Sequence, residues 1–199
     1  MLRWLGLSGM RNGMQGRVLA LVGMAGSGKT VCAQHLEQRG FPQFRFGSLV
    51  VDEVVRRGQP ITPENERVVR EEFRARYGMD AMAQLALPRL QTMLAQRPCI
   101  VIDGLYSFSE YKTLQRDLNG QLIVVAVVAD RALRYARLAQ RPERPLTAEQ
   151  ALERDYQEIE RIEKGGPIAI ADYTLLNNGG VPELLAALDA LLDRLAFYL

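Results

Sequence analysis

Apolar residues in this chain come in short runs, set between longer stretches in which they recur every three or four positions. The runs are Val18 to Val22, Phe44 to Phe46, Ile100 to Ile102, Leu122 to Val128 and Tyr173 to Leu176. A run without polar alternation fits a strand covered on both faces, as in a parallel sheet. The intervening stretches carry helical end signals. Thr62 before Pro63 reads as an N-cap and first helical residue. Thr147 to Gln150 has the T-x-x-Q form of a capping box, and the helix it opens is expected to stop at Gly165, Gly166 and Pro167. Leu184, Leu188, Leu191, Leu192 and Leu195 predict a C-terminal helix docked on the sheet. Met79, Met82, Ala86, Leu90 and Leu94 predict an earlier one, which Pro88 kinks or splits. Strand and helix alternate, so the chain reads as α/β with helices on both sides of the sheet. Two stretches read as insertions beside that sheet. One runs from about Ser48 to Gln96 and is helical and charged; the other, Arg141 to Pro145, is turn-like.

Composition narrows the class. The 199 residues suit one domain, and 48% apolar with 24% charged allows a real core and excludes disorder. Residues 1–16 are glycine-rich and broken by Arg3, Arg11 and Asn12, and are expected to form a flexible lead without signal-peptide character. Residues 17–199 form the single domain. No stretch approaches the ~18 apolar residues of a membrane span, so a cytoplasmic location is expected. A net charge of +2 gives no support to a nucleic-acid or membrane partner. Cys32 and Cys99 have no metal-ligand spacing and read as small buried side chains. His35, the one histidine, reads as an ordinary helix residue. Of the 25 basic residues all are arginine except Lys29, Lys112 and Lys164, so a lysine inside a glycine loop stands out.

That lysine lies in Gly23-Met24-Ala25-Gly26-Ser27-Gly28-Lys29-Thr30, a full G-x-x-x-x-G-K-[ST] match, with an apolar run before it and a helical pattern after it. Each residue type has a chemical reason. Glycines let backbone N–H groups close around a β-phosphate, and the following helix N-terminus adds free donors and positive dipole. Lys29 can bridge β- and γ-phosphates, and the Thr30 hydroxyl can take a Mg²⁺ position. The bound ligand expected is therefore ATP with Mg²⁺. The run Cys99 to Ile102 ends in Asp103, a carboxylate where ligands collect in open α/β sheets. Asp103 is expected to act on Mg²⁺ or on the substrate; an Asp capping the next helix would look the same.

Arginines near a γ-phosphate neutralise charge in the transition state. Arg134, Arg137 and Arg141 lie at i, i+3 and i+7, hence on one helical face, and lead into the turn at Pro145. They read as a lid over 131–147, with Arg137 and Arg141 as catalytic candidates, or else as a solvated face. Arg67, Arg70 and Arg74 have the same spacing in the first insertion, after Arg56 and Arg57, and either grip an anionic acceptor or face solvent. Asp52 and Asp155 are candidate general bases.

These motifs resemble the nucleoside-monophosphate-kinase branch of P-loop proteins. The chain is most similar there to an uncharacterised archaeal group described as dephospho-CoA-kinase-like or adenylate-kinase-like ATPases. The resemblance covers most of the chain after Gly16, through Gly23 to Thr30, Arg57 to Asn65, Arg74 to Ala81, Ile102-Asp103-Gly104, Arg134 to Leu138 and Ala171 to Asn177. It implies a P-loop NTPase three-layer sandwich with a five-stranded parallel sheet in the order 2-3-1-4-5. It also implies a helical acceptor insertion over 48–96 and a short arginine lid. It puts Asn177, Asn178 and Gly179 near the adenine base. The chain departs from the pattern in three places, one being the carboxylate that dephospho-CoA kinases carry near the end of the second strand, which is not at the matching position. Gly47-Ser48-Leu49-Val50-Val51 replaces a Gly-Asp-x-x-Arg segment, and Leu105-Tyr106-Ser107 follows Asp103-Gly104 where the relatives have an arginine.

The reading that results is an ATP-dependent kinase for a small nucleotide-like or phosphorylated acceptor, acting as a monomer or homodimer. The alternative is an ATPase or regulatory nucleotide-binding protein without a standard acceptor site. None of the three lysines lies in an Asn-Lys-x-Asp motif, which argues against a GTPase switch.

Overall fold

Each buried strand feeds two cores at once, because its successive side chains point to opposite faces. The structure, a computed structural model, describes residues 16–199. The expected flexible lead, Gly16 aside, lies outside the described residues. The elements in order are β1 (Arg17–Val22), α1 (Lys29–Gln38), β2 (Gln43–Arg45), α2 (Phe46–Arg56), α3 (Pro63–Tyr77), α4 (Ala81–Gln96), β3 (Cys99–Asp103) and α5 (Phe108–Asp117). They continue with β4 (Leu122–Val128), α6 (Arg131–Ala139), α7 (Ala148–Glu160), α8 (Gly165–Ala169), β5 (Tyr173–Leu176) and α9 (Val181–Arg194).

The five strands form one parallel sheet in the order β2-β3-β1-β4-β5. Val18, Ala20 and Val22 of β1 pack on one face with Ile100, Ile102 and the apolar sides of α2, α4 and α5. Leu19 and Leu21 pack on the other with Val101, Val125 and side chains of α1 and α9. That division explains why the strands read as continuous apolar runs. It also gives the expected three-layer α/β sandwich. Cys32 and Cys99 are buried free thiols in the second core, where burial pushes the Cys32 thiol up to about 12.

Three details differ from the sequence reading. β2 is only Gln43–Arg45, and Phe46 opens α2 instead of closing the strand. Pro88 neither splits nor ends α4, which runs from Ala81 to Gln96. The bond it cannot donate would go to Gln84, and both residues are exposed, so the free carbonyl meets solvent. Helix α7 stops at Glu160, short of the glycines. Glu163 takes a left-handed φ of 58° and the Lys164 N–H returns to Glu158 O, which closes the helix and leaves Gly165–Ala169 as the short α8.

The stretch expected to be an acceptor-side insertion forms the α2–α3–α4 layer. Thr62 caps α3 by accepting from Asn65 N. The stretch expected to be a lid forms α6 and the turn before α7. Among the described residues no helix is long and apolar enough to cross a membrane. The register sets Leu21 of β1 and Arg45 of β2 opposite Asp103, so the ends of three strands converge on one edge of the sheet. In open α/β sheets that edge is where ligands bind.

Candidate active site

At that edge β1 passes into the loop Gly23–Gly28, and α1 starts at Lys29 with Gly28 as its N-cap. Gly28 has φ 103° and contributes no side-chain cap, so the first N–H groups of α1 stay free for an anion. A Cβ at Gly28 would collide with the Asn177 amide nitrogen. At Gly26, φ 79°, it would stand 2.7 Å from the Arg134 carbonyl oxygen. The loop is therefore packed from behind as well as open in front.

Two residues hold it from behind. The Asn177 amide donates to Ser27 O at 2.8 Å, while the Asn177 backbone N–H donates to Val128 O at 2.7 Å. The Arg134 guanidinium donates to Ala25 O at 2.9 Å and forks onto Asp155 at 3.1 and 2.5 Å. Both members of that pair are 8% exposed, and Tyr135 Oη donates to the same carboxylate at 3.1 Å.

Several sequence readings are revised here. Arg134 braces the loop backbone instead of reaching over it. Asp155 is committed to Arg134, which removes it as a general base. Asp52 pairs with Arg89 on the surface at 2.6 Å and does not line the cavity. Asn177 packs behind the loop; it and Gly179 are not among the cavity-lining residues, but Arg137, which is, donates to both. His35 is held by Asp189 at 2.8 Å on the far side of α1.

In front of the loop lies a cavity of about 780 Å³. Gly23 through Val31 form one wall, Phe46, Val50, Arg74 and Met82 of the insertion form another, and Arg137, Arg141 and Lys164 close a third. Seven lysine or arginine side chains line it against three glutamates. Such an excess favours a ligand with several negative charges. Arg137 reaches only neutral partners, Asn177 Oδ1 at 3.4 Å and Gly179 O at 3.3 Å, and its Nη1 is buried without a partner. The half-buried Arg74 likewise has an unpartnered Nε, and burial lowers its pKa.

Lys29 Nζ sits 3.1 Å from Asp103 Oδ1, and Arg45 Nε lies 3.9 Å from the other oxygen. No group of three His, Cys, Asp or Glu side chains among the described residues could hold a metal alone. The oxygen donors to hand, the exposed Thr30 hydroxyl and the Asp103 carboxylate, suit Mg²⁺, which keeps waters and takes phosphate oxygens to complete its shell.

Three cavity residues went unread in the sequence. Glu110, 1% exposed, is the N3 residue of a capping box with Ser107. Its Oε2 accepts from Tyr106 N at 2.9 Å and Ser107 N at 3.0 Å, while Oε1 has no partner. Burial pushes this carboxyl up to about 7, against the pull of the two N–H donors. The S-x-x-E signal was present in the sequence as a helix start. Lys164 and Glu158 form a buried pair at 2.7 Å, to which Arg154 adds a second contact at 3.1 Å. Burial lowers the Lys164 pKa and Glu158 opposes that shift. Nothing local distinguishes these residues from the other charges of α7.

Comparison with known proteins agrees with this geometry. Residues 19–163 match the family model described as an AAA domain. A UPF0200 protein of Thermococcus kodakarensis is 36% identical over 181 residues, covering 89% of this chain and 97% of its own. One from Pyrococcus furiosus is 34% identical with the same coverage. Among solved structures, TT1252 from Thermus thermophilus matches with TM-score 0.61 at 20% identity, over 91% of this chain and 98% of its own. Shikimate kinase from Bacteroides thetaiotaomicron matches with TM-score 0.57 at 14% identity, over 91% and 99%. At those identities the structural likeness is one of fold.

Proposed function

Because the chain belongs to the UPF0200 family of AAA-domain proteins and has the P-loop kinase-like fold, we propose that it is a phosphotransferase. In this reading it moves the γ-phosphate of Mg-ATP to a small anionic, nucleotide-like or phosphorylated acceptor. The observation that carries the reading is the two-sided cavity, with the phosphate loop on one wall and the α2–α4 insertion, bearing Arg74, on the other. A second wall facing the loop, with Arg70 and Arg74 among apolar side chains, leaves room for an anionic acceptor beside the nucleotide. The fold is shared with a shikimate kinase and a gluconokinase, whose names are those of small-molecule kinases.

Each residue then has a task. The free N–H groups of Gly26, Gly28, Lys29 and Thr30 hold the β-phosphate. Lys29 exchanges Asp103 for phosphate oxygens. Asp103, released, takes the acceptor proton, and with Thr30 it would help to hold Mg²⁺. Arg137 and Arg141 oppose the charge of the moving phosphoryl group. The Thr30 hydroxyl would hold Mg²⁺, which would supply charge neutralisation. Two arginines expected of a standard monophosphate site are absent. Leu105 is buried in the core at one of these places, and Arg70 and Arg74 of α3 supply guanidinium groups from a different direction.

The replacement of those arginines also favours a second reading, an ATPase that has lost acceptor transfer. ADP release from Mg-ATP separates the two when measured with nucleoside monophosphates, deoxynucleotides, dephospho-CoA and small hydroxy acids. Release that depends on one acceptor identifies a kinase and its substrate. Slow release indifferent to all of them identifies an ATPase.

A further inference from the structure

We propose that Lys164 is a second ammonium of the transfer site, contacting the γ-phosphoryl group from the side opposite the P-loop; the proposal rests on the phosphotransferase reading. This chain uses arginine almost everywhere, with three lysines among 25 basic residues. Two of those three meet at one ring: Lys29 Nζ lies 5.8 Å and Lys164 Nζ 5.5 Å from the centre of Tyr106. Both also line the cavity. Lys164 comes from the turn between α7 and α8, far along the chain from the phosphate loop, so no local constraint brings the two together.

A structural role does not explain this arrangement. Lys164 is only 5% exposed, and its charge lies close enough to Lys29 for the two to repel. Burying an ion pair costs desolvation, and an apolar pair would fill the same space at no loss of stability. A compact point charge, by contrast, suits a phosphoryl oxygen within reach of the ring, where a planar guanidinium would need more room.

The carboxylates complete the parallel. Asp103 holds Lys29 at 3.1 Å and Glu158 holds Lys164 at 2.7 Å. Glu158 has a second cation, Arg154 at 3.1 Å, which also lines the cavity. When Lys164 turns to a phosphoryl oxygen, Arg154 still neutralises Glu158. Lys164 forms no covalent bond and moves no proton. It opposes charge on the three non-bridging oxygens.

The test compares binding of Mg-ADP with that of the Mg complex of the β,γ-imido analogue of ATP, by titration calorimetry on the full chain. The preference for the triphosphate over the diphosphate reports γ-phosphate contacts and needs no acceptor. Lys164→Met should reduce that preference on the order of tenfold or more, as loss of a charge-assisted contact does. Lys112→Met, at the one lysine outside the cavity, should keep it. Because Lys164→Met strands Glu158 beside Arg154 alone, the double variant Lys164→Met/Glu158→Met provides an apolar pair that keeps the fold, and it should show the same loss. Wild type that prefers the triphosphate, with both Lys164 variants matching it, overturns this inference alone. Wild type that binds neither nucleotide overturns the phosphotransferase reading and this inference together.

Discussion

Lys29 Nζ and Asp103 Oδ1 stand 3.1 Å apart, joining the phosphate loop after β1 to the end of β3. The contact engages the ammonium that, in the proposed reading, meets phosphate, so the carboxylate competes with a nucleotide for it. Asp103→Asn removes the competitor but also the carboxylate. Metal-free ADP binding by this variant should be equal to or tighter than wild type. Turnover with Mg-ATP should fall on the order of a hundredfold or more, the usual loss when an acid–base or metal-orienting group is removed. Fluorescent-nucleotide titration in EDTA and steady-state ADP release measure the two. Unchanged turnover would take Asp103 out of the reaction.

Arg134 braces the loop through Ala25 O and is neutralised by Asp155, with both side chains buried. Arg134→Met leaves a buried carboxylate unpaired and should cost about 3–5 kcal/mol of stability in urea denaturation. Adding Asp155→Leu should recover most of that loss. The tie to the loop stays broken in the double variant, so its nucleotide affinity should remain below wild type. Recovery of both together would show that the bond to Ala25 does not matter for binding.

Strands β1, β3 and β4 were legible because a strand buried on both faces needs an unbroken apolar run, and the loop because phosphate geometry demands glycines at set places. The roles of Arg134 and Arg137 were not. Three residues apart on α6, they share a face, yet one braces the loop from behind and the other opens on the cavity. Only the packing of α6 against Ala25 and Asp155 separates them. Lys164 and Glu158 were hidden for a similar reason. The segment from Glu153 to Lys164 has eight charged residues in twelve, and nothing in it singles out these two until the turn at Glu163 carries Lys164 back onto Tyr106. The bracing role of Asn177 was also hidden: its amide donates to Ser27 O and would collide with a Cβ at Gly28, a contact made across most of the length of the chain.

Glu110 predicts a pH dependence of folding. Its folded pKa, about 7, lies above the ordinary value of 4.5, so the native state holds a proton that the unfolded chain releases. The stability tied to that proton is complete below pH 4.5 and is lost as pH rises through about 7. Glu110→Gln keeps the capping box, because glutamine also accepts at N3. The stability difference between variant and wild type should therefore grow in the variant's favour from pH 4.5 to 8, by up to about 3 kcal/mol. Urea denaturation across that range checks it; parallel curves would assign the pH effect to other groups.

Arg74 should matter to the acceptor and not to ATP. Once an acceptor is known, Arg74→Leu should raise its KM on the order of tenfold or more while the KM for ATP changes little. Steady-state kinetics with each substrate varied in turn make the comparison. A rise in the KM for ATP instead would move Arg74 to the donor side.

The central claim is that the cavity in front of Gly23–Thr30 binds a nucleoside triphosphate through Lys29. Calorimetric titration of Mg-ATP into wild type and Lys29→Ala tests it most directly. The account predicts saturable binding at one site per chain in wild type, weakened about ten- to a hundredfold or abolished in Lys29→Ala. Absence of binding in wild type, or equal affinity in the two proteins, would contradict it.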